Sequence, residues 1–103
     1  MMSFFLKIKF QEHSKYDFDE AKHYYKTQEE NLYKKFKYDL EQSLNRILSF
    51  PNLYPNIDTN IKKCVLNKFP YTILYTIKND TIYILAIANH HKNPKEYKNR
   101  CLK

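Results

Sequence analysis

The apolar residues of this chain change their period twice, and that switch limits the folds open to it. Phe4, Leu6, Ile8 and Phe10 alternate with Phe5, Lys7 and Lys9. A repeat of two sends successive side chains to opposite faces, so residues 4–10 read as a strand with one buried face. From Phe18 to Leu48 the spacing becomes three and four, the helical repeat. From Tyr71 the chain alternates again, with Tyr71, Ile73, Tyr75 and Ile77 set against Thr72, Leu74 and Thr76. A strand, a helical block and a group of strands within 103 residues fit a single α+β domain spanning 1–103.

The helical block divides in two. Ser14, followed by Asp17, predicts an N-cap with an approximate capping box. Asp17, Asp19 and Glu20 then fall in a first turn, where the helix dipole favours acids. Phe18, Ala21 and Tyr25 complete a short amphipathic helix over 15–27. A second helix runs from about Glu29 to Phe50, with Leu32, Phe36, Leu40, Leu44, Ile47 and Leu48 as its apolar stripe. Lys34, Lys35, Lys37, Asp39, Glu41 and Gln42 lie between them and read as a solvated face. The connection is so short that the pair must form a helical hairpin. Pro51 ends the second helix, and residues 51–56 read as a loop.

The remainder reads as strands over 61–68, 71–77 and 81–88, the last apolar on both faces and therefore central. The predicted order is β-α-α-β-β-β, an antiparallel sheet packed against an N-terminal helical hairpin. The chain contains no glycine, which excludes a glycine-rich phosphate cradle. Any backbone position with positive φ must use Asn or Asp, as expected in the turn Lys78-Asn79-Asp80.

Charge is uneven. Residues 1–41 carry eight basic and eight acidic side chains, whereas 42–103 carry ten basic side chains against Asp58, Asp80 and Glu96. The net charge of +7 therefore resides in the second part and points to a polyanion or an acidic protein partner, or to a lysine-rich solvated surface. Apolar runs such as 82–88 are too short to cross a bilayer, and the first residues lack the pattern of a secretory leader. Cys64 and Cys101 make neither a disulfide framework nor a metal cluster. The expected compartment is the reducing cytoplasm, with Cys64 an inert core thiol.

Basic groups gather at the ends of the predicted strands. Lys62 and Lys63 open one and Lys68 closes it. Asn89-His90-His91-Lys92 follows the last strand, with Tyr97 and Arg100 beyond. Cleavage of RNA by its own 2′-hydroxyl needs a base, an acid and cations for the developing phosphorane. His90 or His91 can move protons near neutrality, lysines supply charge, and Tyr97 can stack on a base or relay a proton. No metal or cofactor is called for, because His90-His91 lacks a third ligand at suitable spacing. The same lysines also serve as edge protection for strands, and adjacent histidines after a strand are common loop residues.

The residues Ala21-x-x-Tyr24-Tyr25, Phe36 and Ile47-x-x-Phe50-Pro51-x-x-Tyr54-Pro55 resemble the RelE/ParE toxins of type II toxin–antitoxin (plasmid stabilization) modules. So do Ile61-Lys62-Lys63, Lys68-Phe69-Pro70-Tyr71-Thr72-Ile73-Leu74-Tyr75, Ile84-Leu85-Ala86-Ile87 and Lys92-Asn93-Pro94-x-x-Tyr97-x-x-Arg100. Lysines at 62, 63, 68 and 92 stand where such toxins often carry arginine, Asn89 where His is frequent, and Tyr97 where Trp is common. Lysine keeps the charge but loses the planar fork.

The resemblance implies a toxin neutralised by a cognate antitoxin, with no membrane partner. It leaves three mechanisms open. The first is a metal-independent endoribonuclease, an mRNA interferase that cuts message on the ribosome. Its catalytic groups would be His90, His91, Lys68 and Tyr97, with Lys62, Lys63, Lys92 and Arg100 on RNA phosphate. The second is a non-enzymatic inhibitor of DNA gyrase. The third is a decayed toxin that retains only antitoxin binding.

Overall fold

The computed structural model describes residues 7–91. Its elements are β1 (Lys7–Phe10), α1 (Glu12–Gln28), α2 (Glu30–Ser49), β2 (Asn56–Asp58), β3 (Ile61–Val65), β4 (Tyr71–Lys78) and β5 (Thr81–Asn89). They build one five-stranded sheet in the order β1-β5-β4-β3-β2. The pairs β2–β3, β3–β4 and β4–β5 are antiparallel, but β1 lies parallel to β5, so the sheet is mixed. The expected α+β architecture holds, and β5 is central between β1 and β4.

Four local expectations are corrected. Helix α1 begins three residues earlier than the capping box implied, and Ser14 lies inside it. The Ser14 hydroxyl donates to the Gln11 carbonyl at 2.6 Å instead of capping the helix. Asp17 is therefore not a first-turn surface acid but is buried, as is Asp39 on the supposedly solvated face of α2. Asn56, the last residue of the expected loop, opens a short edge strand over 56–58 that pairs with β3 and was not expected. Strand β3 ends at Val65, which leaves Lys68 in a loop. Residues 4–6 of the first expected strand lie outside the described residues.

Glu29 alone separates the helices. Its extended backbone (φ −168°, ψ 135°) breaks the helical path, and its N–H closes α1 on the Tyr25 carbonyl. The hairpin lays its buried stripes on one sheet face. Rings dominate there: Tyr25 lies 5.2 Å from Phe36 and 5.1 Å from Phe69, and Phe36 lies 5.1 Å from Tyr71. Such offset and edge contacts add to the area term that a large buried ring supplies. Ile47, Cys64, Ile73, Tyr75, Ile82, Ile84 and Ile87 complete this core.

A bulge explains why β5 reads as apolar on both faces. Leu74 pairs with Ala86 but Tyr75 with Ile84, so Leu85 is the extra residue. The insertion shifts parity and lets Ile82, Ile84 and Ile87 all enter the core beneath the helices. On the other face Ile61, Leu74 and Ala86 form a second buried cluster with Leu85 and Ala88 against it. With no glycine available, the positive-φ positions among the described residues are Asn60 (64°) and Asn79 (57°). Asn79 sits in the predicted two-residue hairpin turn between β4 and β5.

Candidate functional site

Two buried carboxylates fix the end of the sheet where the candidate residues lie. Strand β1 stops at Phe10, and Gln11 makes the last backbone bond to Ile84. Helix α1 crosses β5 beyond that point, and Asp17 accepts the Ile87 N–H at 3.0 Å in place of a strand neighbour. Asp39 of α2 accepts three successive N–H groups of the β3–β4 loop: Asn67 at 3.3 Å, Lys68 at 2.8 Å and Phe69 at 3.1 Å. A carboxylate is the acceptor of choice for such a run of donors, because its two oxygens offer several lone-pair directions.

The predicted site residues separate on this frame. Lys62 shares the helix side with Cys64, and its ammonium donates to the Tyr54 carbonyl at 3.2 Å. Lys63 pairs with Leu74 on the opposite face and is exposed. Lys68 is exposed in the loop that Asp39 holds. His90 Nε2 meets the Thr72 hydroxyl at 2.8 Å, which places the ring on the face away from the helices. The His90 N–H donates to the Pro70 carbonyl at 2.9 Å, so its backbone joins the loop that carries Lys68. His91 goes to the other side and lines a cleft of about 680 Å³ with Asp17, Glu20, Tyr24, Tyr25 and Tyr71. Lys92, Tyr97 and Arg100 lie outside the described residues. The geometry thus brings His90 and Lys68 to one end of the sheet and parts Lys62 from Lys63 and His90 from His91.

Sequence reasoning passed over two groups. One surrounds Arg46, whose Nη2 donates to the Ser43 hydroxyl at 3.0 Å and which also bonds the side chains of Tyr54 and Cys64. Burial alone works against its charge, but hydrogen bonding and charge attraction to Tyr54 and Cys64 together outweigh it and hold the guanidinium above its ordinary value. Nearby, the Tyr75 hydroxyl donates to the Pro51 carbonyl at 2.8 Å, and burial pushes its phenol well up. These contacts seat the 51–55 loop on the sheet. The available signal was an arginine in a chain that otherwise uses lysine almost throughout. The second group is a cleft of about 650 Å³ between α2 and the β3–β4 loop, lined by Lys34, Lys35, Tyr38 and Lys68 among others. Among the described residues no three His, Cys, Asp or Glu side chains could together hold a metal ion.

The described residues thus form a helical hairpin on a mixed sheet, with the Lys68 loop at the sheet's end. Residues 8–94 match the family described as ParE toxin of type II toxin-antitoxin system, parDE. The chain belongs to that family, and membership implies a cognate antitoxin. A solved chain of the chromosomal ParDE TA system from P. aeruginosa has a similar fold, with a TM-score of 0.71 at 18% identity. That match covers 82% of this chain and 95% of the other. No curated protein matches the chain by sequence. No described helix is long and apolar enough to cross a membrane.

Proposed function

We propose that this toxin stops growth by binding DNA gyrase, without cutting RNA. One observation carries the reading: neither face of the sheet gathers both histidines and both lysines of the predicted site, since His90 and Lys63 take the face away from the helices and His91 and Lys62 the helix side. His90 turns to Thr72 and His91 to the tyrosine-lined cleft, while Lys62 is committed to a carbonyl and Lys63 faces away from it. Acid–base cleavage requires an acid, a base and phosphate-binding cations within hydrogen-bond reach of one phosphodiester. A protein-binding toxin has no such requirement.

Purified toxin added to gyrase in a supercoiling assay tests this directly. The expected result is inhibition, with an SOS response and filamentation on induction in cells and with message left intact. Undisturbed gyrase together with message cleaved on the ribosome overturns it. RNA cleavage remains the second reading, favoured by the shared position of Lys68 and His90 at one sheet end. Under it, His90→Ala combined with His91→Ala abolishes toxicity; under the gyrase reading that double variant stays toxic.

A further inference from the structure

We propose that the tyrosine-lined cleft between α1 and the end of the sheet is a binding site for a short aliphatic diamine. Asp17, Glu20, Ala21, Tyr24 and Tyr25 recur at spacings of three and four, so one wall is a single face of α1. The other wall is Pro70 and Tyr71 at the start of β4, with Ile87, Asn89 and His91 at and just beyond the end of β5. A volume of about 680 Å³ is that of a small-molecule site.

The lining selects a cation that also has an alkyl chain. The protein carries 18 basic against 11 acidic side chains, yet no lysine or arginine is among the described residues that line this cleft, whereas Asp17 and Glu20 are. Three rings accompany them. Tyr24 meets Tyr25 at 5.1 Å and 77°, and Tyr25 meets Tyr71 at 6.2 Å and 64°, so successive rings form corners. Tyr24 is 55% exposed and offers an open face, which attracts an ammonium group through the ring quadrupole and methylenes through contact. The hydroxyls of Tyr25 and Tyr71 are hydrogen-bonded, and Asn89 donates to the Tyr71 hydroxyl at 3.5 Å, so the buried side presents oxygens to a donor.

The helix sets the length of the ligand. Side chains three apart on one helix face start roughly 5–6 Å from each other, a distance that about four carbons between two ammonium groups also span. Asp17, buried and bonded to the Ile87 N–H, is the fixed inner charge, and exposed Glu20 is the outer one. A nucleotide would bring phosphate against both carboxylates. A bare metal ion makes no use of the rings, and no three His, Cys, Asp or Glu among the described residues are placed to hold one. The toxin's target, gyrase or RNA, does not enter the proposal.

The test titrates the nitrogen-15-labelled full chain with butane-1,4-diamine at physiological salt, read by amide chemical shifts. Saturable shifts should centre on residues 17–25, 70–71 and 87–91. Glu20→Gln should weaken binding about fivefold by removing a charge-assisted contact. Tyr24→Leu, which keeps apolar bulk but loses the ring, should weaken it about threefold, while Tyr24→Phe binds as the wild type does. Glu12→Gln, the same change of charge at the exposed start of α1, should leave the affinity within about 1.5-fold, because salt screens a distant charge. n-Butylamine, with one ammonium, should bind at least about threefold more weakly. Glu20 and Tyr24 are exposed, so both variants should retain the native spectrum. Shifts that do not saturate overturn the proposal, as does unchanged affinity in either Glu20→Gln or Tyr24→Leu. Equal loss in Glu12→Gln means diffuse attraction and overturns it too. So does butylamine binding as tightly as the diamine, or magnesium ion producing the same saturable shifts.

Discussion

Asp17 and Asp39 are both 4% exposed, both on helices and both bonded to backbone N–H groups far along the chain, yet they do different work. Asp17 meets a strand. Ile87 already lies in register with Ile73 on β4, so the carboxylate completes a side of β5 that β1 leaves open. Asp39 meets a loop. Residues 67–69 have no ladder, and the carboxylate itself imposes their path. One acid finishes an existing pattern, whereas the other creates one. The path of the segment that carries Lys68 therefore rests on a single side chain.

Asp39→Ala should produce the largest effect, because three donors lose their acceptor together. The expected cost is about 3 kcal/mol, or a melting point lower by on the order of 15 °C. Hydrogen exchange at residues 67–69 should accelerate while exchange at Ile87 is unchanged. Equal acceleration at both places would break the comparison. Asp17→Ala should cost about 2 kcal/mol, with fast exchange at Ile87 and an undisturbed 67–69 loop.

Tyr75→Phe removes a neutral anchor, the bond to Pro51, and should cost about 1 kcal/mol in a urea titration. It also has a pH signature. Burial holds the phenols of Tyr25 and Tyr75 above the ordinary value of 10.0. Above that pH the unfolded chain releases protons that the folded chain retains, so stability is complete below about pH 10 and falls as pH rises further. Tyr75→Phe should flatten that alkaline fall. A cost of similar size should come from the hairpin turn: Asn79→Ala costs about 1 kcal/mol for a left-handed backbone, while Asn79→Gly, the smallest change, melts close to wild type.

Much of the architecture was legible because its signals are local. Alternation in Lys7–Phe10 and Tyr71–Lys78, the stripe from Leu32 to Ile47, the stop at Pro51 and the Asn79-Asp80 turn each act within a few residues. Asp17 and Asp39 were misread for the opposite reason. Their partners are distant backbone groups, and an acid with charged residues two positions away looks solvated whether or not a loop folds over it. The bulge at Leu85 was hidden too, since an apolar run conceals a change of parity. The separation of His90 from His91 follows from the alternation that continues past β5, but it became visible only once Thr72 was placed beside one of them.

The parallel pairing of β1 sets the order of synthesis against the order of closure. The earliest-made strand has its only described partner in the last, from Lys7 on Thr81 to Phe10 on Ile84. The β4–β5 hairpin can zip as soon as it leaves the ribosome, but its outer edge stays open until the amino-terminal strand returns across it. Distant pairings of this kind form late and slowly, so an interrupted nascent chain carries both helices and no finished sheet.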